Sequence, residues 1–150
     1  MGHAYISSLY HIVFSTKERK RTLTPQLQER LWPYIGGIAR SNRMRALSIG
    51  GVEDHVHILL SMPSTIDVAH AVQLLKGGSS TWIHEEFPEY RHVYWQEGYG
   101  AFSISISQVE ITIRYIERQE EHHRQTSFEE EFRAFLRRHE IEFDERYVWG

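Results

Sequence analysis

Residues 53–60 read Glu-Asp-His-Val-His-Ile-Leu-Leu, and this stretch decides the fold. Successive side chains of a β-strand point to opposite faces of its sheet, so His55 and His57 share one face. The other face carries apolar side chains, those of Val56, Ile58 and Leu60. The pattern therefore predicts a strand over His55–Ser61 that joins a hydrophobic core to a surface with two imidazoles.

Sequence patterns on both sides of this strand predict three more strands and four helices. The strands are expected over Tyr5–Phe14, Met44–Ile49 and Val93–Gln96. The helices are expected over residues 24–41, 64–86, 108–122 and 128–139. The order βαββαβ followed by two helices predicts an α+β fold, a ferredoxin-like split βαβ sandwich with an antiparallel sheet and extra C-terminal helices. The third strand is central in this arrangement, and the helix of residues 108–122 is the candidate to cover its histidine face.

Glycine and proline residues predict where these elements bend or end. Gly50-Gly51 is expected to form the hairpin turn, and Gly98–Gly100 a flexible link before a helix capped by Ser107. Pro33 and the pair Gly36-Gly37 predict a kink or an interruption in the first helix. Gly77-Gly78 predicts either a bend in the second helix or a close approach of another backbone.

Length and composition are typical of one globular domain over residues 1–150, with 41% hydrophobic and 25% charged residues. The chain has no cysteine, which excludes thiol catalysis, disulfides and thiolate metal sites, and fits a reducing cytosol. We see no signal peptide and no apolar run long enough to span a bilayer. The expected location is therefore cytoplasmic, with no membrane partner.

Charge is distributed unevenly along the chain, whose net charge is −3. Residues 1–50 carry a net charge of +6, and residues 51–150 carry −9. A basic front of this kind can bind phosphates, although two ordinary solvated faces would give the same numbers. The candidate phosphate contacts are basic side chains of the first half: Lys17, Arg19, Lys20, Arg21, Arg40, Arg43 and Arg45.

A second motif, Arg-Tyr-Ile-Glu-Arg-Gln over residues 114–119, is expected on a helix. There Tyr115 and Gln119 are neighbours, because a helix places i and i+4 on one face. If this helix lies across the strand, two imidazoles and an amide can hold a metal ion beside a phenol. Each part also has a plainer interpretation, namely a partly exposed strand edge and a buried tyrosine with a satisfied hydroxyl. His122-His123 could be a metal tract, but at a helix end they are expected to act as cations that interact with the helix dipole.

Several stretches resemble one known family. Residues 50–57 resemble the histidine–hydrophobe–histidine (HUH) motif of single-strand DNA nucleases and transposases. Residues 115–123 are similar to the catalytic helix of the single-tyrosine transposases of the smallest insertion sequences, which are related to the REP-associated tyrosine transposases. Further similar stretches bring the resemblance to nearly the whole chain: residues 9–17, 98–103, 128–132 and 144–149.

The resemblance implies a role for each motif. Tyr115 would be the nucleophile, His55, His57 and Gln119 would bind one Mg²⁺ or Mn²⁺ ion, and Glu53 and Asp54 could orient an imidazole. The substrate would be single-stranded DNA with a hairpin, cleaved and rejoined through a 5′-phosphotyrosine. The partner would be a second copy, in a homodimer whose active sites are shared between subunits. The protein would work in a prokaryotic cytoplasm, on the nucleoid when bound to DNA.

Other functions remain open at this point. The first alternative is a non-catalytic or domesticated protein that binds single-stranded or hairpin nucleic acid. A zinc hydrolase would need a third His, Asp or Glu ligand at a fixed spacing, and the sequence offers no convincing one. Rolling-circle replication initiators and relaxases share the histidine motif but are usually larger.

Overall fold

Four antiparallel strands form one sheet in the computed structural model, which describes residues 2–149. The strands are β1 (Leu9–Ser15), β2 (Arg45–Val52), β3 (His55–Ser61) and β4 (Gly100–Ile104). Their spatial order is β2-β3-β1-β4, which places β3 and β1 in the centre. Five α-helices accompany them: α1 (Pro25–Ser41), α2 (Val68–Glu86), α3 (Val109–Glu117), α4 (Gln119–His122) and α5 (Phe128–Arg138). This is the predicted split βαβ arrangement, and the α+β prediction is confirmed.

Two of the helices, α1 and α2, close the apolar face of the sheet. Its central side chains are fully buried there and form the main core: Ile12, Phe14, Val56, Ile58 and Leu60. The Thr24 hydroxyl accepts a hydrogen bond from the Leu27 N–H and caps α1, with Pro25 in the first turn as predicted. The α2 cap is Asp67, three residues beyond the predicted start at Ser64.

The predicted interruptions of these helices are absent, and α1 and α2 are continuous. Pro33 lies on the exposed side of α1, where water can bond the carbonyl that the proline ring leaves without a donor. Gly78 allows the Ile38 side chain of α1 to pack closely against α2, because a Cβ atom at position 78 would lie 2.9 Å from Ile38 Cδ1. The helix is thus not interrupted at Gly77-Gly78, and the close approach at Gly78 is made by an isoleucine side chain, not by another backbone.

The fourth strand is shifted from its predicted position at Val93–Gln96 to Gly100–Ile104. In the predicted stretch only Trp95 makes a β-bridge, to Thr16 beyond the end of β1. The Lys76 ammonium group donates hydrogen bonds to three successive backbone carbonyls, those of Gln96, Glu97 and Gly98. The chain turns there and resumes pairing with β1 from Gly100 onward, so the expected link is limited to residues 98 and 99 and Gly100 belongs to β4.

The hairpin turn also differs from the prediction. Gly50 and Gly51 lie within β2, and the two-residue turn is Glu53-Asp54. The predicted helix of residues 108–122 is broken at Arg118, which separates α3 from α4. Ser105, not Ser107, provides the capping box of the single 3₁₀ turn that precedes α3. None of the helices in the described part of the chain is long and apolar enough to cross a membrane.

Candidate metal and tyrosine centre

The polar face of the sheet is covered by α3, α4 and α5. Helix α3 crosses β2 at Gly50, where a Cβ atom would lie only 2.6 Å from the backbone carbonyl oxygen of Ile116. Only a residue without a side chain allows this approach. The glycine that sequence reasoning assigned to a turn therefore sets the distance between the tyrosine helix and the histidine strand.

His55, His57, Tyr115 and Gln119 come together within one chain. Both histidines are fully buried, and Gln119 is 1% exposed. The rings of Tyr115 and His57 have centroids 5.6 Å apart. Gln119 Oε1 lies 3.1 Å from His55 Nε2, and its amide nitrogen donates to the Tyr115 carbonyl. The predicted neighbours are thus in contact without any contribution from a second copy.

The two acids before the histidine motif have different partners. Asp54 Oδ1 lies 2.7 Å from His55 Nδ1 and so fixes the orientation of that imidazole. Glu53 instead forms an exposed ion pair with Arg21. Of the two candidates for orienting an imidazole, only Asp54 contacts one.

Glu131 of α5 lies at the centre of the site, although the sequence analysis did not select it. It is 3% exposed. Its Oε1 lies 2.9 Å from His57 Nε2 and 3.4 Å from His55 Nε2. Its Oε2 accepts a hydrogen bond from the Tyr115 hydroxyl. One buried carboxylate thus links both histidines of the strand to the phenol.

Three further histidines complete the cluster. His122 and His123 place their Nε2 atoms 3.2 Å from Glu131 Oε2. His11 of β1 lies behind His57, with its Nε2 2.7 Å from His57 Nδ1. The expectation that His122-His123 only complements a helix end is therefore wrong, because the break at Arg118 turns both residues toward the centre.

The sequence contains a weak indication that Glu131 is buried. Glu131 belongs to a run of three glutamates that looks solvated, yet it lies three residues after Phe128 and four before Phe135. It therefore shares a helix face with two buried aromatic side chains. An acid on an apolar stripe is the signal that could have identified it.

Burial and hydrogen bonding determine the protonation states of His55, His57 and Glu131. Burial alone would lower the pKa of His55, but hydrogen bonds to Asp54 and Glu131 outweigh burial and raise that pKa to about 9. Burial keeps the pKa of His57 below its ordinary value. Burial would raise the pKa of Glu131, but His57 and the other histidines hold it far below its usual range. Without a metal ion the centre is therefore an ionised carboxylate beside a protonated His55.

The phenol of Tyr115 is held in its protonated form. Burial is the main cause, and the negative charge of Glu131 adds to it, so the pKa of Tyr115 is raised well above the usual 10. Ionisation of this phenol at neutral pH would need the opposite shift, which a cation bound beside it would favour.

The donor atoms fit a divalent metal ion. One nitrogen or oxygen atom from each of His55, His57, His123 and Glu131 lies within 4.8 Å of all the others. Ligands that share one ion at about 2.1 Å lie roughly 3.0 to 3.4 Å apart. The distances from His55 to Gln119 and Glu131, and from His57 to Glu131, are 3.1, 3.4 and 2.9 Å. The residues present are therefore suited to hold one ion beside Tyr115.

An open groove of about 590 Å³ runs past Tyr115 along α3 and α4. Arg114 and Arg118 line it, together with Glu121. Within residues 2–149 neither arginine forms an ion pair. The groove therefore carries two guanidinium groups without ion-pair partners and one carboxylate beside the phenol.

The basic residues selected from the sequence fall into two groups. Lys17–Arg21 follow the end of β1, whose last residue pairs with His55. Arg40, Arg43 and Arg45 lie at the other end of the hairpin, where Arg45 pairs with Ser61. Six residues of strand, about 20 Å, separate the two ends. In the first group Arg19, Lys20 and Arg21 already form ion pairs with Glu129, Glu18 and Glu53.

Comparison with known proteins identifies relatives of this arrangement. The model of the family described as "Transposase IS200 like" matches residues 4–119. The transposase for insertion sequence element IS200 of Salmonella typhimurium is 27% identical over 104 residues, which cover 66% of this chain and 68% of the relative. The ISDra2 transposase TnpA of Deinococcus radiodurans is 27% identical over 95 residues, which cover 63% of this chain and 68% of the relative.

Two solved structures share the fold. A Deinococcus radiodurans R1 protein, described as a candidate transposase, has a TM-score of 0.62 and 25% identity, over 79% of this chain and 96% of its own. A REP-associated tyrosine transposase bound to a REP hairpin has a TM-score of 0.60 and 15% identity, over 82% of this chain and 73% of its own. At 15% identity the second match supports the fold alone.

Proposed function

The chain belongs to the family of IS200-like transposases, and from this premise we propose that it cleaves and rejoins single-stranded DNA through a covalent bond to Tyr115. The observation that carries the proposal is the contact of the phenol with a buried cluster of metal-binding side chains. Glu131 lies outside the matched residues 4–119 yet contacts that cluster. Residues 1–150 are therefore proposed to act as one HUH endonuclease domain.

The proposed reaction is an in-line exchange of phosphoesters. The Tyr115 oxygen attacks phosphorus, the bond from phosphorus to the 3′ oxygen breaks, and the leaving oxygen takes up a proton. The DNA stays on the protein as a 5′-phosphotyrosine. Since one phosphoester replaces another, attack by a new 3′-hydroxyl reverses the step and joins two strands without an added energy source.

The side chains around the phenol have distinct parts in this reaction. Glu131 accepts the hydrogen bond of the Tyr115 hydroxyl and so orients the phenol. Asp54 holds the His55 ring, and Gln119 links that ring to the backbone of the nucleophile. A divalent ion held by His55 and His57, with Gln119 or Glu131, would supply positive charge that favours the phenolate and polarises the scissile phosphate.

The proposed ion is Mg²⁺ or Mn²⁺. Mg²⁺ prefers oxygen ligands and retains several waters, whereas imidazole nitrogen suits later metals of the first row. Two to three of the donors here are imidazoles. This donor set suits Mn²⁺ better than Mg²⁺, and activity should be higher with Mn²⁺ at equal concentration.

The proposed substrate is a single strand that carries a hairpin. Support comes from the REP-associated tyrosine transposase of the same fold, which was solved bound to a REP hairpin. Phosphates would contact the basic side chains selected from the sequence, those of Lys17–Arg21 near the centre and of Arg40, Arg43 and Arg45 about 20 Å away. Each lost phosphate contact should reduce the slope of log affinity against log salt by about 0.7. An unchanged slope in an Arg43→Ala, Arg45→Ala variant would remove the distant group from the DNA path.

The proposed assembly is a homodimer. The tyrosine of one subunit could serve the histidines of the other, or each chain could use its own site, and the contacts within one chain support the second arrangement. Mixing a Tyr115→Phe chain with a His57→Ala chain distinguishes them. Shared sites restore activity in the heterodimer, whereas self-contained sites leave the mixture inactive.

An adduct assay tests the proposal. Labelled single strands copied from the DNA that flanks the gene are incubated with protein and Mn²⁺ or EDTA, then separated on a denaturing gel. We expect a protein–DNA band that needs the metal and is absent with Tyr115→Phe. Hairpin binding without any band would refute the nuclease and favour a domesticated binding protein.

A further inference from the structure

A second cavity, which we call the aromatic pocket, lies between β4, α3 and α5 and opens beside Tyr115. Its volume is about 450 Å³. Aromatic rings line it: those of His11, Phe102, Phe135 and His139. The Phe102 ring is nearly parallel to the Phe135 ring, at 5.2 Å and 18°, and to the His139 ring, at 4.8 Å and 29°. Phe102 and Phe135 are 2% and 7% exposed, so most of their ring surface is covered, and the exposed His139 ring is the part of this stack most open to an occupant.

The mouth of the aromatic pocket is charged and partly apolar. Arg138 lines it and lies 5.5 Å from the centre of the Phe135 ring. Across residues 2–149 this arginine forms no ion pair. Ile111, on the α3 side, is 65% exposed and adds an apolar side chain to the mouth. Glu130 and Glu131 also line the pocket, so a fitting occupant has a flat apolar part and carries its negative charge on the Arg138 side, away from these carboxylates.

The aromatic pocket is continuous with the arginine groove. Both are lined by Ile111, Tyr115, His122 and Thr126. A polyanion that runs along Arg114 and Arg118 therefore reaches the pocket mouth at the phenol. The volume falls within the range of small-ligand sites, about 300 to 1,000 Å³. These features match one nucleotide of a DNA strand, whose base enters the pocket while its phosphates follow the arginines.

We propose that the aromatic pocket binds a single unpaired nucleobase adjacent to the phosphate that Tyr115 attacks. The inference rests on the proposed function for the identity of the strand. A base held there by stacking fixes the position of the neighbouring phosphate relative to the phenol. Every base can stack on an aromatic ring. The pocket therefore determines where along the strand the cut falls, and it discriminates little between base sequences.

Cross-linking tests the proposal without relying on catalysis. A short thymidine strand with 5-iodouracil in place of thymine is bound to the intact protein in EDTA and irradiated, and the cross-linked peptides are mapped by mass spectrometry. We expect cross-links to Phe102, Phe135 or His139. Cross-links confined to other residues would overturn the proposal.

A matched pair of variants sharpens the test. Ala134 lines the aromatic pocket from the exposed side of α5, so Ala134→Trp can fill the pocket without removing a core contact. The tryptophan should lower strand affinity about ten-fold, as expected for the loss of one stacked base, and should abolish the pocket cross-links. Ala69→Trp, at an exposed position of α2 outside the pocket, should change neither. Equal affinity and equal cross-linking in all three proteins would overturn the proposal.

The two proposals fail in different ways. Pocket cross-links without any Tyr115 adduct would uphold the base pocket and refute the nuclease. A metal-dependent adduct with cross-links elsewhere would uphold the nuclease and refute the pocket. If Ala134→Trp does not fold, the cross-link map of the unmodified protein decides alone.

Discussion

The two faces of the sheet are built from the same strands and differ in almost every other respect. The apolar face is covered by α1 and α2, two continuous helices of 17 and 19 residues. The polar face is covered by α3, α4 and α5, of 9, 4 and 11 residues. Alternate residues of β3 supply fully buried isoleucine and leucine to one face and fully buried histidine to the other.

This difference shows what each face contributes. Hydrophobic burial is non-directional, so the apolar face needs only the right spacing and volume, and it stabilises the fold. Buried polar atoms require a partner each, so the polar face needs particular residues at particular positions. The histidines that surround Glu131 on the polar face are expected to add little to the free energy of unfolding. Their role is to position the polar groups of the candidate site.

The largest expected effect is on the apolar face. Ile58→Ala removes a fully buried side chain from the main core and should lower the free energy of unfolding by about 2 to 5 kcal/mol. Chemical denaturation measures this loss. Ile111→Ala, at an exposed position, is the control and should change stability by less than about 0.5 kcal/mol. An equal loss of unfolding free energy in the two variants would contradict the claim that the apolar face provides most of the stability.

Next in size is the contact that brings the tyrosine helix onto the sheet. Gly50→Ala places a Cβ atom against the Ile116 carbonyl, and neither backbone can yield without moving α3. We expect a loss of about 1 to 3 kcal/mol in stability together with loss of adduct formation. Gly77→Ala is the matched control, because nothing lies within 4 Å of a Cβ there. In α2 that alanine should stabilise the protein by up to about 1 kcal/mol.

Glu131→Gln tests the polar face directly. Loss of the carboxylate charge should weaken Mn²⁺ binding by about 10- to 100-fold, as measured by calorimetry. The same change should bring the pKa of Tyr115 back toward 10, since the charge of Glu131 raises it. Ultraviolet titration, with Tyr115→Phe as the reference, resolves this phenol from the other tyrosines. Unaltered metal affinity would exclude Glu131 as a ligand.

The smallest expected effect is the pH dependence of metal binding. His55 has a pKa of about 9, so at pH 7 a metal ion must displace its proton. The affinity for Mn²⁺ should rise about ten-fold per pH unit from pH 7 and level off above pH 9. Asp54→Asn removes a partner that raises this pKa, and the plateau should then begin at a lower pH. A wild-type affinity independent of pH would mean that His55 does not bind the ion.

The parts of the molecule that follow from local pattern were predictable. The period of two in residues 55–60 gave β3 and its two faces, and Thr24-Pro25 gave the start of α1. The spacing of Tyr115 and Gln119 gave a contact that exists across the histidine face. In each case the local part of the structure, such as the i, i+4 contact of Gln119 with the Tyr115 carbonyl, follows from neighbours along the chain.

The parts that depend on distant partners were not predictable. Val93–Gln96 has strand composition, but Lys76 of another element binds the carbonyls that follow it and shifts the pairing to residues 100–104. The Gly50-Gly51 pair is typical of a turn, but glycine is needed at position 50 because α3 passes close over β2 there. Glu131 has the sequence context of an exposed glutamate, and only the packing of α5 against the histidines of β3 shows that it is buried. Only the tertiary fold reveals these three roles.

One measurement tests the central claim most directly, that Tyr115 and the histidine face form one nuclease site. The covalent complex formed with a cleaved single strand in Mn²⁺ is digested, and mass spectrometry locates the nucleotide remnant. The account predicts the remnant on Tyr115, joined through a 5′-phosphate, and its absence from His57→Ala protein. A remnant on any other tyrosine, or one that persists without His57, would contradict it.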